Sequence, residues 1–256
     1  MLIRRILLIA LLMLPAARAG ATDYTDIWYL PAESGWGVNV VQSDSFLFMT
    51  FFIYGPDGKP TWYVGLVTQD ASGNFNGTLY SATGTYFAAP WIGDVVSVAG
   101  TASFQPTSAT TATLVYTAIG APTVTKNIQR QTLTSIAIGG PYTGGQAGQY
   151  SGCSDPSKNS LYKDTFDLDI TQQTNGSVMF AFTYRAVSCT LSGTLVQQGK
   201  LYSVPNASYV CSDGLNTTAS MSEIQATAQG IEGRFFAPSV GGQCAEGASF
   251  SAALLL

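Results

Sequence analysis

The sequence predicts an all-β protein made of two consecutive antiparallel domains, each a β-barrel or a sandwich. Apolar and polar residues alternate with a period of two through most of the chain, and turn-forming residues interrupt this alternation about every ten residues. No long segment places apolar residues at helical spacing between capping residues. Together these patterns indicate many short strands, enough to close two small barrels.

The first half contains eight predicted strands, each bounded by turn-forming residues. They cover residues 25–30, 36–42, 45–54, 60–68, 74–82, 95–104, 110–117 and 123–131. The strand at 45–54 is unusual because both of its faces are apolar. One face carries Phe46, Phe48 and Phe52, and the other carries Leu47, Met49, Phe51 and Ile53. We therefore expect the second face to be covered by the other domain, a partner or a ligand.

The second half alternates more cleanly and predicts about eight further strands. Its inward-facing residues before and after the Asn175-Gly176 turn are Tyr162, Phe166, Leu168 and Ile170, then Val178, Phe180, Phe182 and Tyr184. Between the halves, residues 139–145 are rich in Gly and have no apolar period, so we interpret residues 136–146 as a linker. The predicted domains are then 22–135 and 147–256, although one larger sandwich would also fit this length.

Residues 1–19 have the layout of a secretory signal peptide. Arg4 and Arg5 form the charged start, an apolar run covers residues 6–14, and Ala17-Arg18-Ala19 fits a cleavage site. The apolar run is too short to span a bilayer, so no transmembrane segment is predicted. The expected location is the periplasm or the extracellular medium.

The four cysteines agree with export to an oxidising compartment. Cys153, Cys189, Cys211 and Cys244 form an even set without a Cys-x-x-Cys spacing, which predicts two disulfides rather than a metal site. Three pairings are possible. We favour Cys189 with Cys211, which flank a reversal around Gly199, and Cys153 with Cys244. The latter lie near the two ends of the second half, where first and last strands of a closed barrel meet.

The chain has no histidine, which excludes Ser-His-Asp and Cys-His catalysis and His-ligated metal sites. Removal of residues 1–19 would lower the basic residues from 11 to 8 against 15 acidic ones, a net charge of −7. Such a chain repels phosphate backbones, so we expect no nucleic-acid partner. Neither a cofactor nor a metal site is predicted, and the composition favours binding over catalysis.

The segment 28–37 reads Trp-Tyr-Leu-Pro-Ala-Glu-Ser-Gly-Trp-Gly, and an Asp-Gly-Lys-Pro turn at 57–60 and a Trp-Tyr pair at 62–63 follow it. Over residues 23–68 the chain resembles an uncharacterised family of secreted proteobacterial proteins that shares a Trp-x-x-Pro-x-Glu-Ser-Gly-Trp-Gly signature. The matching residues are Trp28, Pro31, Glu33, Ser34, Gly35, Trp36, Gly37, Asp57, Gly58, Pro60 and Trp62. This chain departs from the family at Tyr29 and Leu30. The resemblance implies export and β structure, and it implies no catalytic residue.

The aromatic residues of this segment support one functional hypothesis and one structural alternative. Trp28, Trp36, Trp62 and Tyr63, with Glu33, could form a surface that stacks a sugar ring or encloses a small apolar ligand. The alternative is ordinary packing of these rings in a core or between domains. The hypothesis describes an exported binding module whose partner is a glycan, a small apolar ligand or an envelope protein.

Glu33 supports a second hypothesis from another class, a carbohydrate-active hydrolase. A carboxyl group between tryptophans can have a raised pKa and act as a general acid, with Asp26, Asp57 or Asp94 as the second carboxylate. The alternative is that Glu33 stabilises its own loop by accepting bonds from backbone N–H groups.

Overall fold

The computed structural model describes residues 22–241 and 243–255, and the predicted signal peptide lies outside these residues. The described residues form seventeen strands and one short 3-10 helix, Pro156–Lys158. The strands are β1 (Asp26–Tyr29), β2 (Gly37–Ser43), β3 (Phe46–Tyr54), β4 (Pro60–Gln69), β5 (Phe75–Gly84), β6 (Asp94–Pro106), β7 (Thr111–Ala118), β8 (Val124–Arg130), β9 (Gly140–Ser151), β10 (Ser160–Gln172), β11 (Ser177–Thr183), β12 (Ser188–Thr194), β13 (Val196–Gln198), β14 (Leu201–Cys211), β15 (Asn216–Ala226), β16 (Gly230–Val240) and β17 (Cys244–Leu254). The all-β prediction is confirmed. No helix within these residues is long and apolar enough to cross a membrane.

Strands β1 to β8 form a closed antiparallel barrel in which each strand pairs with the next and β1 pairs with β8. All eight predicted strands are present, and their ends differ from the prediction by at most two residues. Alternate residues fill the interior because side chains of a strand point to opposite faces. The buried residues include Trp28, Leu47, Met49, Phe51 and Phe104.

The outer face of β3 is not covered by the second barrel. Phe48, Phe52 and Tyr54 are exposed there, while Leu47 and Phe51 fill the barrel interior. The expectation that the other domain covers this face is therefore wrong. A partner or a ligand remains the predicted cover.

Strands β9 to β17 form the second sheet, which is also closed by pairing. β12 pairs with β14, β13 lies beside β14, and β17 pairs with β9 over ten residue pairs. The inward face predicted for β10 and β11 is buried, as Phe166, Leu168, Phe180 and Phe182 show. An up-and-down arrangement is expected when strands are joined by short turns, because consecutive strands then become neighbours.

Both favoured disulfides are confirmed. Cys153 pairs with Cys244 next to the seam between β9 and β17, and Cys189 pairs with Cys211 directly across the β12–β14 pair. Each bridge therefore joins two neighbouring strands at a point where the second barrel closes.

The interpretation of residues 136–146 as a linker is wrong from Gly140 onward, because β9 begins there. The glycines permit close contact rather than flexibility. A Cβ atom on Gly144 would lie 2.2 Å from the carbonyl oxygen of Ser251 on β17. The connection without regular structure between the barrels is residues 131–139.

Arg130, at the end of β8, is a buried cation inside the first barrel, at the end opposite the β1–β2 loop. Its Nη1 atom lies 3.0 Å from Asp26 Oδ2 and donates to the carbonyl oxygen of Thr25, and its Nε donates to that of Ala109. Nη2 donates to the carbonyl oxygen of Asp23. The guanidinium is thus satisfied by one carboxylate and three carbonyl groups, as a buried charge requires.

The second barrel contacts the first at this same end, through the turn between β13 and β14. Lys200 donates its backbone N–H to Asp26 Oδ2 at 3.1 Å, and its Nζ lies 2.7 Å from Asp23 Oδ2. Gly199 has a φ of +62°, and a Cβ there would lie 2.5 Å from the Cβ of Arg130. The contact is therefore polar and close. The loops after β1, β3, β5 and β7 lie at the opposite, distal end of the first barrel, because the strands alternate in direction.

Candidate functional site

The loop between β1 and β2 contains a compact polar cluster at the distal end of the first barrel. Glu33 accepts two hydrogen bonds from Lys126 Nζ, at 2.8 Å and 2.6 Å, and one from Trp36 Nε1 at 3.2 Å. The Lys126 Nζ atom lies 5.9 Å from the centre of the Trp36 ring. Lys126 belongs to β8, which pairs with β1, so the cluster ties the loop to the closing strand of the barrel.

The cluster favours the ionised form of Glu33. The hydrogen bond from Lys126 lowers the pKa of this carboxyl group, because an adjacent cation stabilises its negative charge. The donors to Glu33 are side chains and not the backbone N–H groups that the sequence suggested. Glu33 therefore stabilises its loop by accepting hydrogen bonds from Lys126 and Trp36.

The five predicted ligand-binding residues do not form one surface. Trp28 is 0% exposed in the barrel core, where its ring packs edge-on against Phe104 at 4.9 Å, so it cannot contact a ligand at an open surface. Tyr63 is half-buried against the same core. Trp62 is exposed on the outer face, beside Phe52 of the neighbouring strand, and only Trp36 and Glu33 lie in the β1–β2 loop.

A groove of about 350 Å³ lies on the outer surface, beside this loop. Trp36, Tyr29 and Phe52 form its aromatic wall, and Asn39 and Gln131 contribute carboxamides. Gly37 leaves the groove open because it sits directly opposite Phe52 and has no side chain. The other lining residues are Ile27, Ser34, Gly35 and Val38, so no charged side chain lines the groove.

Lys126, Asn39 and Gln131 are not among the site residues that the sequence predicts. The sequence narrows the choice of a cation for Glu33, because residues 22–135 contain only three basic residues, Lys59, Lys126 and Arg130. Asn39 and Gln131 lie more than ninety positions apart and meet only when the barrel closes. No pattern along the chain indicates that meeting.

The proposed acid partners of Glu33 are engaged elsewhere or placed on other loops. Asp26 binds Arg130 at the opposite end of the barrel. Asp57 accepts the backbone N–H of Lys59 within the β3–β4 turn, and Asp94 begins β6. The side chains hydrogen-bonded to Glu33 are Lys126 and Trp36, and neither is a carboxylate.

The second barrel carries a wider groove of about 700 Å³ on its outer surface. Its exposed apolar side chains are Leu161 and Phe236, and its floor includes the small residues Gly247 and Ala147. Lys163 and Arg234 also line it, and Arg234 is ion-paired with Glu223 at 3.3 Å. This groove therefore differs from the first one by its charge and by its single exposed aromatic ring.

The interior of the second barrel contains a buried carboxyl group, Glu246, which is 7% exposed. The hydroxyl group of Tyr162 donates to it, and the Tyr162 ring stacks on Tyr150 at 4.9 Å. Tyr184 and Tyr209 contribute to the same polar environment. Within the described residues, no Lys or Arg forms an ion pair with Glu246. Burial raises the pKa of Glu246, since desolvation disfavours its charged form.

Replacement of Glu246 with Gln is expected to stabilise the protein at neutral pH. The folded state holds the proton of Glu246 more tightly than the unfolded chain, so wild-type stability falls as pH rises through the range between the two pKa values. Gln keeps an acceptor for Tyr162 without a charge. Urea unfolding from pH 4 to pH 8 checks this: the advantage of E246Q should grow with pH. E232Q, the same change at an exposed position, is the matched control. An advantage independent of pH would contradict it.

No protein-family model and no curated protein sequence matches this chain. Among solved structures, a protein of unknown function from the DUF3598 family of Nostoc punctiforme is 10% identical and covers 90% of this chain and 93% of its own. Its TM-score is 0.30.

Proposed function

We propose that this protein is an exported, non-catalytic binding module that takes an uncharged saccharide in the groove beside Trp36. The observation that carries the proposal is the lining of this groove, which combines three aromatic rings with two carboxamides and has no charged side chain. Binding sites commonly pair an apolar surface with a few polar groups that fix orientation.

A saccharide has the matching chemistry. The C–H groups of a sugar ring form an apolar face that can stack on Trp36 or Phe52, while its hydroxyl groups both donate and accept hydrogen bonds. Asn39 and Gln131 also offer donors and acceptors. A charged ligand would find no partner among the lining residues and would have to give up its hydration.

The hydrolase hypothesis receives less support. A general acid must carry a proton, and the ion pair with Lys126 lowers the pKa of Glu33 and favours its ionised form. A small apolar ligand or an envelope protein at the same groove is a weaker candidate, because neither requires both carboxamides. Export is supported by the two disulfides, which persist in oxidising compartments.

Replacement of Phe52 with Ala is expected to weaken saccharide binding about tenfold, because removal of a stacked ring costs roughly 1–2 kcal/mol. A panel of neutral oligosaccharides would first identify a ligand, and calorimetric titration would then give affinities for each variant. Phe52 is suited to this test because it is exposed, so its loss should leave the fold intact. Asn39→Ala should weaken binding as well.

Two control variants locate the site. Phe48→Ala removes an exposed ring from the same strand and face but outside the groove, and it should leave the affinity unchanged. Phe236→Ala removes the exposed ring of the second groove. Loss of binding in the Phe236 variant with unchanged binding in the Phe52 variant would assign the saccharide to the second barrel. Absence of binding to every neutral oligosaccharide would contradict the proposal.

A further inference from the structure

The hairpin of β5 and β6 continues beyond the last residue pairs that join it to its neighbours in the first barrel. β4 pairs with β5 only as far as Tyr80, and β7 pairs with β6 only from Gly100. Four further residue pairs, from Ser81–Ser97 to Gly84–Asp94, join β5 and β6 to each other. At about 3.3 Å per residue, this two-stranded arm is roughly 13 Å long before its loop begins. It lies at the distal end, away from the second barrel.

The loop at the end of this arm is apolar and carries no charge. Residues 85–93 read Thr-Tyr-Phe-Ala-Ala-Pro-Trp-Ile-Gly. Phe87 is 91% exposed and Ile92 90% exposed, and Tyr86 and Trp91 are also largely in solvent. Large apolar side chains this exposed and this close together mark an interaction surface in most soluble proteins.

Several backbone groups of the loop are satisfied within the loop itself. Thr85 donates its N–H and its hydroxyl group to the carbonyl oxygen of Gly93, and its Oγ1 accepts the N–H of Ile92. Ala89 donates its N–H to the carbonyl oxygen of Tyr86, and Pro90 has no N–H. Internal bonding of this kind suits a loop that enters the membrane interface, where backbone groups find fewer partners than in water. A protein partner could supply such bonds itself and would not require it.

We propose that residues 85–93 insert into the interfacial region of a lipid bilayer and hold the first barrel against a membrane surface. The exposed Trp and Tyr side chains and the absence of charge match the boundary between headgroups and acyl chains. The attraction is apolar rather than electrostatic, because the chain has a net charge of −4 and the nearest charge to the loop in the sequence is Asp94. Binding should therefore need no anionic lipid. This proposal is independent of the saccharide groove.

Flotation with phosphatidylcholine vesicles tests the insertion directly. The wild-type protein should float with these vesicles, added phosphatidylglycerol should not increase the bound fraction, and high salt should not release it. The double variant Phe87→Ser, Ile92→Ser should reduce the partition coefficient about tenfold or more. The matched control Val41→Ser, Phe48→Ser removes two exposed apolar side chains from the barrel wall and should float like the wild type.

Three outcomes would overturn the proposal. The first is wild-type protein that stays in solution with vesicles of both compositions. The second is an equal loss of flotation in the Phe87→Ser, Ile92→Ser variant and in its control, with circular dichroism showing that both are still folded. The third is a wild-type protein that does not bind vesicles but forms a concentration-dependent dimer, which only the Phe87→Ser, Ile92→Ser variant abolishes. That result would assign the loop to contact with a second copy of this chain.

Discussion

Replacement of Arg130 with Met is expected to lower the free energy of unfolding by about 3–5 kcal/mol, because it leaves Asp26 without its cation in a largely buried site. The guanidinium also satisfies the carbonyl oxygens of Asp23, Thr25 and Ala109, and methionine offers these groups no donor. Its loss affects both barrels, since Asp26 also accepts the backbone N–H of Lys200.

Urea unfolding monitored by fluorescence and circular dichroism measures this effect. The matched control is Arg185→Met, which makes the same substitution at an exposed turn and should change stability by no more than about 0.5 kcal/mol. If the two variants differ by less than about 1 kcal/mol, the buried ion pair does not have the stabilising role assigned to it.

Removal of the Cys153–Cys244 disulfide is expected to destabilise the protein by about 4–5 kcal/mol, more than removal of Cys189–Cys211, at about 3 kcal/mol. The difference follows from the length of chain that each bridge closes, since the sequence separations are 91 and 22 residues. A bridge over a longer loop removes more conformational freedom from the unfolded state.

The measurement compares the two double Cys→Ala variants under identical conditions. Both pairs lie in the second barrel and all four cysteines are buried, so cavity formation should be similar in the two variants. The difference between their free energies of unfolding then reflects chiefly the conformational freedom of the unfolded chain. A larger loss from the 189–211 pair would show that native packing, and not loop length, determines the contribution of these bridges.

Local patterns in the sequence predicted most of the fold. The period of two identified every strand of the first barrel, because a strand with one face in a closed interior must alternate. The pairing of Cys153 with Cys244 also followed from topology, since the ends of a closed up-and-down sheet are neighbours. The wrong prediction at residues 140–146 has a specific cause. Glycine indicates a flexible link and a close approach of two strands equally well in a sequence, and here it serves the close approach.

The candidate site was harder to predict because its residues come together only through barrel closure. Glu33 and Lys126 are 93 positions apart, and their contact depends on the pairing of β1 with β8. Trp28 shows the opposite problem. Its position in the aromatic segment indicated a surface role, but the inward face of β1 places it in the core.

The first and last strands pair over very different lengths in the two barrels, so the barrels should differ in their resistance to force. β1 and β8 share only two residue pairs, whereas β9 and β17 share ten and have a covalent bridge beside them. In the first barrel, the short pairing of β1 with β8 is reinforced by the buried ion pair between Arg130 of β8 and Asp26 of β1. In the second barrel, the long pairing of β9 with β17 has the Cys153–Cys244 disulfide beside one of its ends. We therefore expect a force applied between the barrels to separate β1 from β8 before it separates β9 from β17.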